Sequence, residues 1–280
     1  MILVTRFLLA GLAACALVTP AAAADKIGNC DVTGAKGSIP IATPAVPGQL
    51  TVQVSLPAPV WWNGTTADAI KDGMEYCMAA EIAWRAGYDR MKVVPIDWTA
   101  LVTGRTTGYD LTLSEASITD ERKRVVDFSV PYFSSDIGVL TAADSPVDAG
   151  TIKTVTVGVQ QGTTGAAYAL DVLGITNYQV YAERADLFSA LNSGDVAAVL
   201  TDTSIALSEA TIDSGKTSVV GQYKTGETYG AIYPKDNPNN KTLDKIIQAM
   251  IDDGTMKKLE VRYLAGAWGK DPASVPYFNP

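Results

Sequence analysis

Between Leu50 and Leu113 the chain alternates short apolar strands with helical stretches, and that rhythm restricts the fold more than any other feature. Leu50 to Leu56 reads as a strand with Val52, Val54 and Leu56 on one face. A loop holding Trp61-Trp62-Asn63-Gly64 follows. Asp72 to Trp84 carries Met74, Cys77, Met78 and Ile82 on one stripe and stops at Gly87, the pattern of an amphipathic helix. Met91 to Ile96 is the next strand, Trp98 to Val102 a short helix ended by Gly104, and Asp110 to Leu113 a further strand. Strand, helix, strand, helix, strand calls for an α/β sheet with right-handed crossovers.

The rhythm returns after a kink at Pro131. Thr154 to Gln160 is a buried-type strand that runs into Gln161-Gly162-Thr163-Thr164-Gly165 and then a helix from Ala166. A Gly/Thr turn between strand and helix aims backbone N–H groups and the positive helix end at one spot, which suits an anion. Taken alone, an ordinary tight turn explains it better. Tyr178 to Tyr181 is a short strand, Asp186 to Asn192 a helix closed by Gly194, and Val196 to Leu200 a strand ending at Thr201-Asp202-Thr203. Asp202 thus sits where open α/β sheets bind ligands, and equally where a helix needs an N-cap. Val219 to Thr228 reads as a return crossing and Tyr229 to Pro234 as a strand. Asn240 to Asp253 is the cleanest helix, with Leu243, Ile246, Ile247, Met250 and Ile251 on one face and Gly254 as its stop. Met256 to Leu264 is another, and Pro272 to Pro280 is a tail.

Residues 1–24 are set apart as a secretory signal. Arg6 precedes an apolar run from Phe7 to Val18, Pro20 breaks it, and the alanines Ala21 to Ala24 make an A-x-A site before Asp25. Leu12-Ala13-Ala14-Cys15 also fits a lipoprotein box, so lipid anchoring at Cys15 is the minority alternative to cleavage after Ala24. Either way the chain works outside the cytoplasm, in the periplasm. The remaining length of about 255 residues suffices for two lobes with proper cores. The net charge of −8, with no basic runs, argues against nucleic acid and anionic membranes. Two cysteines remain after cleavage, Cys30 and Cys77, and an oxidising compartment favours one disulfide between them. There is no histidine, which excludes Ser-His-Asp and Cys-His catalysis and the usual zinc sites. Neither a cofactor nor a metal is expected.

The most informative chemistry lies in Asp110 to Tyr132, DLTLSEASITDERKRVVDFSVPY. A strand end opens into small and hydroxyl residues beside Arg122, and a guanidinium is the side chain best matched to a carboxylate. A helix start, with Thr119 or Asp120 as cap and Arg122 solvated, fits the same spacing. The stretch resembles the signature of the bacterial extracellular solute-binding proteins of family 3, the periplasmic receptors of polar amino-acid ABC transporters. Their pattern reads D-[apolar]-x-[apolar]-x-x-[apolar]-[ST]-I-T-x-x-R followed by D-F-S-x-P-Y. The resemblance extends from about Leu50 to Trp268.

It implies a type II periplasmic-binding fold with two crossings between lobes. Residues 25–47 would form an extension, residues 48–133 the first part of lobe 1, residues 134–228 lobe 2, and residues 229–280 the second part of lobe 1 with the tail. A free amino acid would lie in the cleft. Its carboxylate would meet Arg122, Ser117 and the Thr163-Thr164 loop, and its ammonium would meet Asp202. Trp61, Trp62 and Trp98 stand near positions that are often aromatic in the family; core packing is their alternative. Glu115 leans toward a cationic ligand or else points to solvent, while Ser55, in place of an aspartate of several basic-amino-acid binders, leans the other way. The implied partner is the transmembrane part of an ABC permease, with the binding protein a monomer. Two other functions share the scaffold: a periplasmic enzyme resembling cyclohexadienyl dehydratases, with Glu115 as its acid or base, and a ligand sensor acting through a separate partner.

Overall fold

The structure is a computed structural model that describes residues 25–280. The signal segment and Cys15 lie outside the described residues. Two five-stranded sheets form the two lobes. After a hairpin of β1 (Lys26–Ile27) and β2 (Cys30–Asp31), the chain enters β3 (Leu50–Val54), α1 (Met74–Arg85), β4 (Met91–Pro95), α2 (Trp98–Val102), β5 (Leu111–Thr112) and β6 (Asp127–Phe128). It then crosses along β7 (Phe133–Ala142) and builds the second lobe from β8 (Val157–Gln160), α3 (Thr164–Ala167), β9 (Tyr178–Tyr181), α4 (Arg184–Ser193), β10 (Ala198–Asp202) and α5 (Thr203–Ile212). It returns along β11 (Thr217–Tyr229) to β12 (Ile232–Tyr233), α6 (Asn240–Asp252) and α7 (Thr255–Leu259).

The first sheet has the order β4-β3-β5-β12-β6 and the second β11-β7-β10-β8-β9. In the first, β3 runs parallel to both neighbours and is buried throughout. Both of its faces are covered although the strand alternates: Thr51 and Gln53 are buried too, and Gln53 accepts from the Thr106 hydroxyl at 2.9 Å. The buried stripe of α6 (Leu243, Ile246, Ile247, Met250) joins it in one core, as its periodicity requires. In the second sheet Val157, Val159, Ala198 and Leu200 pack with Ile137 and Val139 of β7.

The two crossings, β7 and β11, pair antiparallel from Thr217↔Ala142 to Tyr229↔Phe133. That ladder is interrupted by irregularities, one of them between Tyr223 and Glu227. The tail adds a third link. Gln222 N–H donates to the Pro276 carbonyl and Phe278 N–H to the Gln222 carbonyl, so residues 276–278 lie along β11 in the second lobe. The sequence reading grouped this segment with the first lobe as a tail, because a single bridge leaves no periodicity to place it along β11.

Cys30 and Cys77 are bonded, fastening the N-terminal hairpin to α1 across 47 residues. A closed loop of that length removes denatured-state entropy worth about 4 kcal/mol. The Cys30→Ser/Cys77→Ser variant should therefore lose about 3–4 kcal/mol in urea unfolding. A loss under about 1 kcal/mol would mean that hairpin packing alone holds this end.

Candidate functional site

The carboxyl ends of the two sheets face each other, and there the buried charges gather. Arg122 opens a single 3₁₀ turn after the Ser114–Thr119 segment, its N–H capped by the Thr119 hydroxyl at 3.2 Å. Its guanidinium donates to the Ser117 carbonyl at 2.7 Å and, across the cleft, to the Gly162 carbonyl at 3.0 Å. It lies over the Trp98 ring, 5.1 Å from the centroid. Gly162 has φ +72°, a left-handed conformation that glycine adopts at no steric cost, and this turns its carbonyl toward Arg122. Burial lowers the Arg122 pKa, against the raising pull of Asp202 and Glu227.

Asp202 ends β10 and holds the N-cap position of α5, yet its side chain makes no cap hydrogen bond. Its Oδ2 instead accepts from the Tyr229 hydroxyl at 2.7 Å. Burial, and after it the negative charge of Glu227, pushes its carboxyl up to about 7. Thr163 is tied down locally, capping α3 through Ala166 N–H and donating to the Gln160 carbonyl at 2.8 Å. Thr164 is free to reach across. Gly165 lets this turn sit close to β10: a Cβ there would lie 2.8 Å from the Leu200 carbonyl oxygen.

Glu115 lies in the left-handed region, φ +48°, which costs a side chain of its type about 1 kcal/mol or more. Its N–H donates to the buried Glu75 carboxylate at 2.8 Å. Its own Oε2 pairs at 2.8 Å with Arg184, the first residue of α4, while Oε1 is buried without a partner. Burial raises the Glu115 pKa and Arg184 pulls it back down. The sequence reading began α4 at Asp186 and so missed Arg184. Glu75 was also missed; it accepts from Trp62 Nε1 at 2.8 Å and from Tyr132, and burial drives its pKa to about 8. Nothing in its local pattern separates it from a solvent-facing helix glutamate. Glu227, a third residue missed, accepts on one oxygen from the Ser117 and Thr164 hydroxyls, both at 2.7 Å.

Trp98, Glu115, Ser117, Arg122, Thr163, Thr164 and Asp202 thus surround one space, joined by Arg184. The free volume there is about 10 Å³, room for about one water. Trp61 and Trp62 do not line it. Both are fully buried in the first lobe, Trp61 edge-on to Phe133 and Tyr229 at 5.1 and 5.8 Å. They fill a core because their loop folds back on α1, where Met74 and Glu75 bond to the Val60 and Trp61 carbonyls. Trp61 packs against Tyr229, whose hydroxyl bonds Asp202. A larger groove of about 640 Å³, lined by Phe128, Lys235 and Asp244 among others, opens on the first lobe, with Thr228 of the β11 crossing at its edge. Of its three lysines, Lys123, Lys235 and Lys241, Lys235 is already paired with Asp127 at 2.8 Å.

Two lobes that meet over a small cavity lined by an arginine of one and an aspartate of the other define a bivalve binding protein for a small polar solute. The profile of the bacterial extracellular solute-binding proteins, family 3, matches residues 58–266, and the chain belongs to that family. It is 26% identical over 200 residues to the arginine-binding extracellular protein ArtP of Bacillus subtilis, covering 69% of this chain and 78% of that protein. Among solved structures it is similar to the arginine-, lysine-, histidine-binding protein ArtJ of Geobacillus stearothermophilus, with a TM-score of 0.67, 26% identity and 80% and 96% of the two chains covered. It is similar as well to the ancestral amino acid-binding protein AncCDT-1, described as a precursor of cyclohexadienyl dehydratase, with a TM-score of 0.66, 26% identity and coverage of 78% and 95%.

Proposed function

We propose that this chain is the extracytoplasmic solute-binding component of an ABC importer, capturing a polar or cationic amino acid between its lobes and handing it to the membrane permease. One observation carries the reading: a buried guanidinium on the first lobe and a buried carboxylate on the second border the same small space. A zwitterion leaving water loses hydration at both poles, and fixed partners of opposite sign offset that loss. Because Arg122 and Asp202 belong to different lobes, a solute that holds both favours the closed form over the open one. With so little free volume, entry requires the lobes to part. The family and the named relatives support transport over catalysis.

The test is a thermal-shift screen of the twenty amino acids followed by calorimetry, with a ligand at about 100 times its Kd adding about 2.7 kcal/mol. The titration of Asp202 fixes the pH dependence. Its carboxyl, at about 7 although Arg122 and Arg184 pull it down, must be ionised to hold an ammonium, so binding below that pH releases a proton. Kd should rise by about tenfold for each pH unit below about 7 and stay level above it. A Kd constant from pH 5 to 8 would remove Asp202 from the ammonium site.

A second reading rests on Glu115. A buried carboxyl with a raised pKa and a free oxygen is what a general acid requires. Turnover of prephenate or arogenate would establish it. The Arg184 ion pair, which pulls the Glu115 pKa back down against burial, speaks for binding.

A further inference from the structure

Glu227 has been given no role toward the solute, yet its carboxylate is bonded to two residues that line the space. One oxygen accepts from Ser117 of the first lobe and from Thr164 of the second, each at 2.7 Å. These are two of the groups assigned above to the solute's carboxylate. The charge of Glu227 is felt by Arg122, whose pKa it raises, and by Asp202, whose pKa it also raises. The residue therefore does at this place what a bound carboxylate would do, bridging hydroxyls of the two lobes beside a guanidinium.

Its position on the chain suits a part that moves. Glu227 follows the irregularity in the β7–β11 ladder, within one of the crossings between lobes. Just before it, Thr225 and Gly226 donate their N–H groups to Asp136 at 2.8 and 2.9 Å, which pins the backbone and leaves the side chain to choose its direction. Glu227 is only partly buried, unlike Arg122 and Asp202, so a change of rotamer can carry its side chain toward water.

We propose that Glu227 is a resident competitor for the solute's carboxylate: it bridges Ser117 and Thr164 until an amino acid displaces it, and so sets the affinity of the cleft. The inference rests on the amino-acid-binding reading above. Physically, an interaction present only before binding stabilises the unbound state and weakens the observed affinity. Two like charges also cannot share one pair of hydroxyls beside one guanidinium, so entry of a carboxylate expels the first.

The experiment compares wild type, Glu227→Ala and Glu227→Gln, each stripped of ligand by unfolding, dialysis and refolding. Small-angle scattering of the stripped proteins and calorimetry with the amino acid giving the largest wild-type shift supply two readouts. Glu227→Ala should bind about tenfold or more tightly than wild type, because charge-assisted hydrogen bonds no longer have to be broken. Its stripped form should show a larger radius of gyration, the bridge between lobes being gone. Glu227→Gln, which keeps an oxygen acceptor but no charge, should fall between, and it carries the test should the alanine variant not fold. Unchanged or weaker binding by both variants would overturn the proposal, since Glu227 would then be inert or part of the bound state. If no amino acid binds any of the three, the transport reading fails instead. The scattering comparison still decides whether Glu227 holds the lobes together, an unchanged radius refuting it.

Discussion

The Arg122→Ala variant is expected to bind its amino acid about 100-fold or more weakly than wild type while remaining folded. Two N–H donors of Arg122 are used by the Ser117 and Gly162 carbonyls, which fix the plane of the guanidinium. The remaining donors of its five are left for a carboxylate. Stacking on Trp98 fixes the plane further. Little ordering is then left for binding to demand, so the carboxylate gains nearly the full strength of a charge-assisted pair. Alanine removes that gain and leaves the solute's carboxylate buried without its counter-charge. Arg122→Lys keeps the charge without the fork and should recover only part of the affinity. Calorimetry beside a circular dichroism check reads both variants. A Kd within threefold of wild type for Arg122→Ala would place the carboxylate elsewhere.

The second large effect concerns the Glu115–Arg184 pair, which also joins the lobes. Arg184→Met leaves the Glu115 carboxylate buried and unpaired, a change that costs about 3–5 kcal/mol where the surroundings stay closed. In a Glu115→Gln background the same substitution should cost far less, because no buried charge is stranded. A double-mutant cycle in urea should therefore give a coupling of about 2 kcal/mol or more. Coupling below about 0.5 kcal/mol would show that the two side chains do not meet in solution. The pair bears on specificity too. Glu115 draws a cationic ligand only in so far as Arg184 yields its place, so the Arg184→Met protein should shift its preference toward cationic amino acids in the same thermal screen.

Much of the fold was legible because burial writes a period into the chain. Val52 and Val54 and the stripe of α6 all enter the core of the first lobe, and both elements lie within a residue or two of where they were read. Strand ends were legible as well. Arg122, Asp202, Ser117 and Thr164 come together at the carboxyl edges of two sheets because that is where parallel strands deliver their loops.

What the sequence determined by itself was the class of the molecule: the α/β rhythm, the cysteine pair, the missing histidine and a motif that marks an amino-acid receptor. Only the tertiary structure decided which side chains share the cleft. Trp61 and Trp62 left it for the core, while Arg184 entered it, and Glu75 and Glu227 came to bond its lining residues, from helix and crossing positions that look solvent-facing one at a time. The reason is physical. Periodicity records which face of an element is buried, a local property, whereas the pairing of charges across a cleft depends on how two separate sheets meet, and no spacing along the chain encodes that distance.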